Sequence, residues 1–179
     1  RWQPDVTDIA KKIDGRTKAV VLINPNNPTG SLYSEKVLLE IAELARKHRL
    51  IIFADEIYDK ILFDGLQHVS IASLCEDLPV VTFGGLSKCY IAPGWRVGWA
   101  ILSGPQDSLK DYAAAVHKMT RARLSISNPM QYAIKPALEG DHGHLREMNQ
   151  KLQKRRDITF DRLNRIDGIS CVKPTGAFY

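Results

Sequence analysis

Three short stretches of the chain collect residue types able to do chemistry on a small polar molecule. They are Asn24-Pro25-Asn26-Asn27-Pro28-Thr29-Gly30, then Asp55-Glu56-Ile57-Tyr58, then Gly84-Gly85-Leu86-Ser87-Lys88 followed by Gly94-Trp95-Arg96. Between them they offer a primary amine, a carboxylate beside a phenol, a hydroxyl, amides, and a guanidinium whose planar fork suits an anion. Each has a plainer reading when taken alone. Lys88 reads as a surface lysine, Asp55 as a cap or turn residue, Arg96 as an ion-pair partner, and the doubled Pro with tripled Asn as a rigid turn. Their order along the chain makes the combination hard to dismiss.

The elements that must position them can be read from the apolar pattern. Ala19 to Ile23 is a continuous apolar run, as in a parallel-sheet strand covered on both faces, and it stops at the Asn24–Gly30 turn cluster. Ser34 is placed as an N-cap, with Glu35 in the first turn and Val37, Leu38, Ile41, Leu44 and Ala45 at helical spacing up to His48. Leu50 to Ala54 predicts the next strand, ending at Asp55-Glu56, and Val80 to Phe83 another, ending at Gly84-Gly85. Trp95 to Leu102 predicts a fourth. The active residues thus fall at the carboxyl ends of strands, where open α/β sheets collect ligands. Helices are predicted over 108–120, 130–138 and 144–166. Gly168 to Val172 predicts a fresh strand, with 173–176 a turn into another that breaks off at Tyr179, so the chain is expected to be truncated.

Composition narrows the alternatives. The chain has 179 residues, 44% hydrophobic and 25% charged, with 25 basic against 20 acidic side chains, which supports one domain with a real core and excludes disordered or stapled scaffolds. Cys75, Cys89 and Cys171 are odd in number and lack metal-site spacing, so neither a disulfide framework nor a metal centre is indicated. No apolar run is long enough to span a membrane. The densest basic stretch, Lys151 to Arg156, is predicted to be a solvated helix face. Nothing in its surroundings supports nucleic acid as a partner.

The three motifs in this order and spacing closely resemble the fold type I, pyridoxal-phosphate-dependent aminotransferases of classes I and II. The resemblance covers essentially the whole chain. It implies an α/β fold with a mostly parallel sheet and helices on both faces. Residues 1–143 would form part of the large cofactor-binding domain, and 144–179 a long connecting helix with the start of a smaller domain. Lys88 matches the Schiff-base lysine, expected to serve also as general base for the proton shift between the substrate Cα and the cofactor. Asp55 matches the carboxylate facing the pyridine nitrogen. Tyr58 and Asn27 match the groups that bond the ring oxygen, Asn27 reaching the substrate carboxylate as well. Arg96 and Ser87 match phosphate ligands. Gly85 departs from the aspartate aminotransferase pattern, which often has a phosphate-binding serine there.

The resemblance also bears on substrate and assembly. Arg123 occupies the place of an arginine that crosses a dimer interface to a dicarboxylic substrate, although Arg121, Arg123 and Lys118 can equally form a solvated basic patch. The segments around the three motifs are most similar to alanine aminotransferases of the glutamate-pyruvate type, with aspartate, aromatic and tyrosine aminotransferases as alternatives. A homodimer in the cytoplasm, acting on an amino acid and a 2-oxo acid, is implied. The family's glycine-rich phosphate loop and ring-stacking aromatic would lie upstream of Arg1, and its α-carboxylate arginine beyond Tyr179. The 179 residues alone are therefore expected to hold cofactor weakly and turn over little. Other readings are the β-lyases, cyclopropane-forming synthases and decarboxylases of the same fold, and the aminotransferase-like ligand domain of a transcription regulator. A dinucleotide-binding domain is disfavoured, since no G-x-G-x-x-G follows a strand.

Overall fold

A computed structural model describes residues 2–179. Its centre is a four-stranded sheet in the order β1 (Ala19–Ile23), β2 (Ile51–Asp55), β3 (Val80–Gly85) and β4 (Gly98–Ser103). The first three strands run parallel and β4 runs antiparallel to β3. The sheet is thus mostly parallel, as predicted. Helices α1 (Val6–Lys12), α2 (Glu35–His48) and α3 (Gln106–Ala122) flank it, and α4 (Asn128–Gln131), α5 (Ile134–Glu139) and α6 (Gly143–Leu163) follow.

Helix α2 shows why the core forms where it does. Ser34 has extended backbone angles and accepts a hydrogen bond from the Val37 amide, closing the first turn. Leu38, Ile41, Ala42 and Ala45 then recur on one face and are buried. Arg49, in the left-handed region, stops the helix and turns the chain into β2. The buried face packs on Leu22, Ile52, Ala54 and Val80. Ile52 is fully buried in this cluster, and truncating it to Ala would cost about 2–5 kcal/mol.

The opposite sheet face is less covered. Tyr112 of α3 reaches Phe53, with ring centroids 5.8 Å apart, yet Val21 stays 67% exposed. The expectation that β1 is covered on both faces is corrected here. Among the described residues none packs over its outer side chain.

Other boundaries moved for identifiable reasons. The predicted fourth strand begins three residues late, because Pro93–Trp95 forms a single 3-10 turn and Arg96 takes a left-handed φ of 55°. The predicted 130–138 helix is two short ones, since Pro136 lacks an amide proton and fits only in the first turn of α5. The predicted strand at 168–172 is absent. The Cys171 amide instead donates to Asn164 Oδ1 at 3.1 Å, and no strand among the described residues lies alongside to pair with it.

Candidate active site

β1, β2 and β3 end on the same edge of the sheet, and register places Ile23, Asp55 and Phe83 in one row across it. Backbone bonds hold the three following loops together. The Asn24 amide donates to the Asp55 carbonyl at 3.0 Å, and the Glu56 amide donates to the Phe83 carbonyl at 3.0 Å. The first loop is stiffened internally, with Asn26 Oδ1 accepting from the Thr29 hydroxyl at 2.7 Å and Asn24 Oδ1 accepting from the Tyr33 amide at 2.9 Å. In the third, the Leu86 amide donates to the Val97 carbonyl and the Ile91 amide to the Lys88 carbonyl, so the segment carrying Ser87 and Lys88 is a closed turn.

These loops surround a cleft of about 380 Å³ whose wall includes Asn27, Asp55, Tyr58, Ser87, Lys88 and Arg96. Six residues singled out from the sequence, separated by up to 69 positions, therefore converge on one space, with Ile23, Phe83 and Gly84 forming its apolar floor. A depression of about 440 Å³ on the outer face of α6 is lined by that helix alone and has no comparable set of groups.

One Asp55 oxygen accepts from the Ile57 amide at 3.2 Å, while the other accepts from no described residue. The Lys88 ammonium lies 5.7 Å from the Tyr58 ring centroid and 5.6 Å from that of Phe178, distances at which a cation is attracted to a ring face. Arg96 is exposed, and its guanidinium is tethered by donation from Nη1 to the Pro93 carbonyl at 2.9 Å. Burial, followed by the hydrogen bond with Tyr179 and the nearby Asp55 charge, pushes the Tyr58 phenol above its ordinary range, with Asn27 pulling the other way. Tyr58 thus keeps its proton at neutral pH.

Phe178 and Tyr179 were not legible as site residues. Their rings pack on Tyr58 at centroid distances of 5.2 and 5.8 Å, and the Tyr58 and Tyr179 hydroxyl oxygens are 2.7 Å apart. They arrive on a strap, residues 174–179, bound to the first loop. The Thr175 and Gly176 amides both donate to the Gly30 carbonyl at 2.8 Å, and the Ala177 amide donates to the Ile61 carbonyl at 2.9 Å. Gly30 has a φ of 63°, and a Cβ there would stand 2.6 Å from Pro174 Cβ, so only glycine admits the strap. The sequence shows a turn at 173–176 but no hint of its partner.

Arg156 corrects the expectation of a solvated basic face. It continues the stripe of Leu145, Met148 and Leu152 that packs against the Tyr58 cluster. Its side chain is 4% exposed and bonded to Asp64 and Asp157. Burial is possible because carboxylates and the Pro174 carbonyl satisfy its donors. Arg123, by contrast, lies exposed at the C-terminal end of α3, and the structure does not bring it to the cleft. Among the described residues there is no group of His, Cys, Asp and Glu able to hold a metal ion. No described helix is long and apolar enough to cross a membrane.

The donor set fits pyridoxal phosphate in kind, with an amine for its aldehyde, a free carboxylate oxygen for its ring nitrogen, a phenol and an amide for its ring oxygen, and a guanidinium with a hydroxyl for its phosphate. Comparison with known proteins identifies the family. The chain is 46% identical over 181 residues to an alanine aminotransferase of Mycobacterium tuberculosis, covering 99% of this chain and 42% of that protein. It is 48% identical to the glutamate-pyruvate aminotransferase AlaA of Escherichia coli K12, covering 99% and 44%. The solved alanine aminotransferase of Pyrococcus furiosus superposes with a TM-score of 0.95 at 45% identity, covering 98% of this chain and 44% of that one. The chain thus spans less than half the length of these relatives. The profile described as aminotransferase class I and II matches residues 1–179, and the chain belongs to that family.

Proposed function

We propose that the full-length protein is a pyridoxal-phosphate-dependent aminotransferase that exchanges an amino group between alanine or glutamate and pyruvate or 2-oxoglutarate. The observation that carries this reading is the convergence of Asn27, Asp55, Tyr58, Ser87, Lys88 and Arg96 on one cleft at the ends of three parallel strands. Similarity to relatives named as alanine and glutamate-pyruvate aminotransferases supports the substrate class.

Each side chain has a task suited to its chemistry. Lys88 holds the cofactor covalently through its aldehyde carbon. Arg96 and Ser87 hold the phosphate, the guanidinium neutralising charge and the hydroxyl donating a hydrogen bond. Asp55 is the counter-charge that keeps the ring nitrogen protonated, and the bound cofactor then supplies an electron sink for the substrate Cα. Tyr58 and Asn27 fix the ring oxygen. Once displaced by substrate, the Lys88 amine would take the proton from the substrate Cα and return it to the cofactor's former aldehyde carbon, acting as general base and then general acid. Tyr58 and Phe178 present their rings to that amine at 5.7 and 5.6 Å.

The remaining assignments belong to the same proposal. Residues 1–143 form part of the large domain and 144–179 join it to a smaller one. Arg123 serves the substrate of a second copy across a homodimer, and the enzyme works in the cytoplasm.

The test uses the full-length protein loaded with pyridoxal phosphate. Borohydride reduction should leave the cofactor's mass on the peptide containing Lys88, and alanine followed by 2-oxoglutarate should drive two half-reactions. Absence of label from Lys88, or label on another lysine, would overturn the assignment.

A further inference from the structure

We propose that Tyr179 is a positioning residue that acts on the cofactor's ring oxygen through Tyr58, an inference that rests on the site reading above and adds a member to it. Tyr58 is fixed in place, 2% exposed and packed with Ile61, Phe63 and Cys89. Its hydroxyl oxygen lies 2.7 Å from that of Tyr179, and the rings meet edge to face at 77°. Tyr179 does not reach this place by virtue of the phenol pair alone. Backbone bonds from Thr175, Gly176 and Ala177 fix the strap two residues earlier, and Ala177 is fully buried with a left-handed φ of 56°.

The direction of the bond follows from proton counting. A phenol carries one proton and two lone pairs. With the Tyr58 proton committed to the cofactor's ring oxygen, Tyr58 has only lone pairs left for its protein neighbours. Tyr179 is then the donor, the reverse of the sense in which the same bond raises the Tyr58 phenol in the protein alone, and the Asn27 side chain bears on the same oxygen. A donor feeding Tyr58 polarises its O–H bond and makes it a stronger donor in turn. A stronger donor at the ring oxygen stabilises negative charge there, and the cofactor-bound Lys88 nitrogen then gives up its proton at lower pH.

The test titrates the visible absorbance of the bound cofactor in full-length wild type, Tyr179→Phe, Tyr58→Phe and the double variant. Tyr179→Phe removes one oxygen and keeps the ring packing. It should retain covalent cofactor on Lys88 and raise the pH midpoint by roughly 0.3–0.5 unit. In the Tyr58→Phe background the same substitution should shift nothing, because the route through Tyr58 is gone. An unchanged midpoint in loaded Tyr179→Phe, or an equal shift in both backgrounds, would overturn the inference. Wild type that carries no cofactor on Lys88 after borohydride is a different outcome, and it overturns the site reading itself together with this addition.

Discussion

The guanidinium of Arg156 grips both oxygens of Asp64 at 2.8 Å, lies 4.8 Å over the Phe63 ring and donates to the Pro174 carbonyl at 3.1 Å. One side chain of α6 thereby fastens the chain after Tyr58 to the root of the strap that carries Tyr179. Arg156→Met should cost about 1–3 kcal/mol, less than for a wholly buried pair because Asp64 and Asp157 can rehydrate, and should weaken cofactor binding. Paired denaturation and cofactor titrations of the full-length protein measure both. Asp64 and Asp157 are held below the usual carboxylate range chiefly by their hydrogen bonds to Arg156 and Lys173 respectively. Their contribution is therefore present above about pH 4 and is lost as pH falls through their lowered values, a limb that Arg156→Met should flatten.

Gly85 is set by packing. It faces Gly98 across the β3–β4 ladder, and a Cβ there would stand 2.9 Å from the Val97 carbonyl oxygen and 3.2 Å from Gly98 Cα. Both are backbone atoms that cannot rotate away. Gly85→Ser should destabilise by about 1–3 kcal/mol without tightening cofactor binding. A gain in affinity would show that β4 can yield.

Glu56 gives a pH dependence of opposite sign to Asp64. Burial first, then the charges of Asp59 and Asp55, push it up to about 7 against the hydrogen bonds from Ser70 and Ile71. Between about pH 4.5 and 7 the folded state keeps a proton that the unfolded chain releases, so stability falls as pH rises through this window. Glu56→Gln should remove roughly 1–3 kcal/mol of that descent, seen as a flatter stability curve in denaturant at pH 5, 6, 7 and 8. His68, lowered by burial, lies with Nε2 3.9 Å from Glu56 Oε1, so the comparison is repeated in a His68→Gln background to separate the two titrations.

The three thiols should react unequally. Cys75 and Cys89 are 2% and 1% exposed, and burial pushes Cys89 up to about 12, so it is a protonated, shielded neighbour of Lys88 and no competitor to it. Cys171 is half-buried. Iodoacetamide at pH 8 followed by peptide mapping should label Cys171 first and leave the other two unmodified until the protein unfolds.

The sheet was legible because apolar runs such as Ala19–Ile23 and the α2 stripe record burial in local periodicity. The cleft was legible because its six residues sit at strand ends that parallel order brings to one edge. Tyr179 was not, since its contact with Tyr58 spans 121 positions and leaves no periodic trace. Arg156 was misread for a related reason. A buried cation in an apolar stripe looks like a surface charge until its carboxylates arrive from elsewhere in the chain.

The strap has a temporal consequence. Thr175 Oγ1 reaches the Gly30 carbonyl across 145 positions, and at about 5–20 residues per second of translation the second partner emerges roughly 7–30 s after the first. The β1–α2–β2–β3 nucleus draws only on earlier segments, so a nascent chain can gather it on the ribosome while Tyr58 still lacks its neighbour. The strand ends that line the cleft are thereby in place before the ring that pairs with Tyr58 is synthesised.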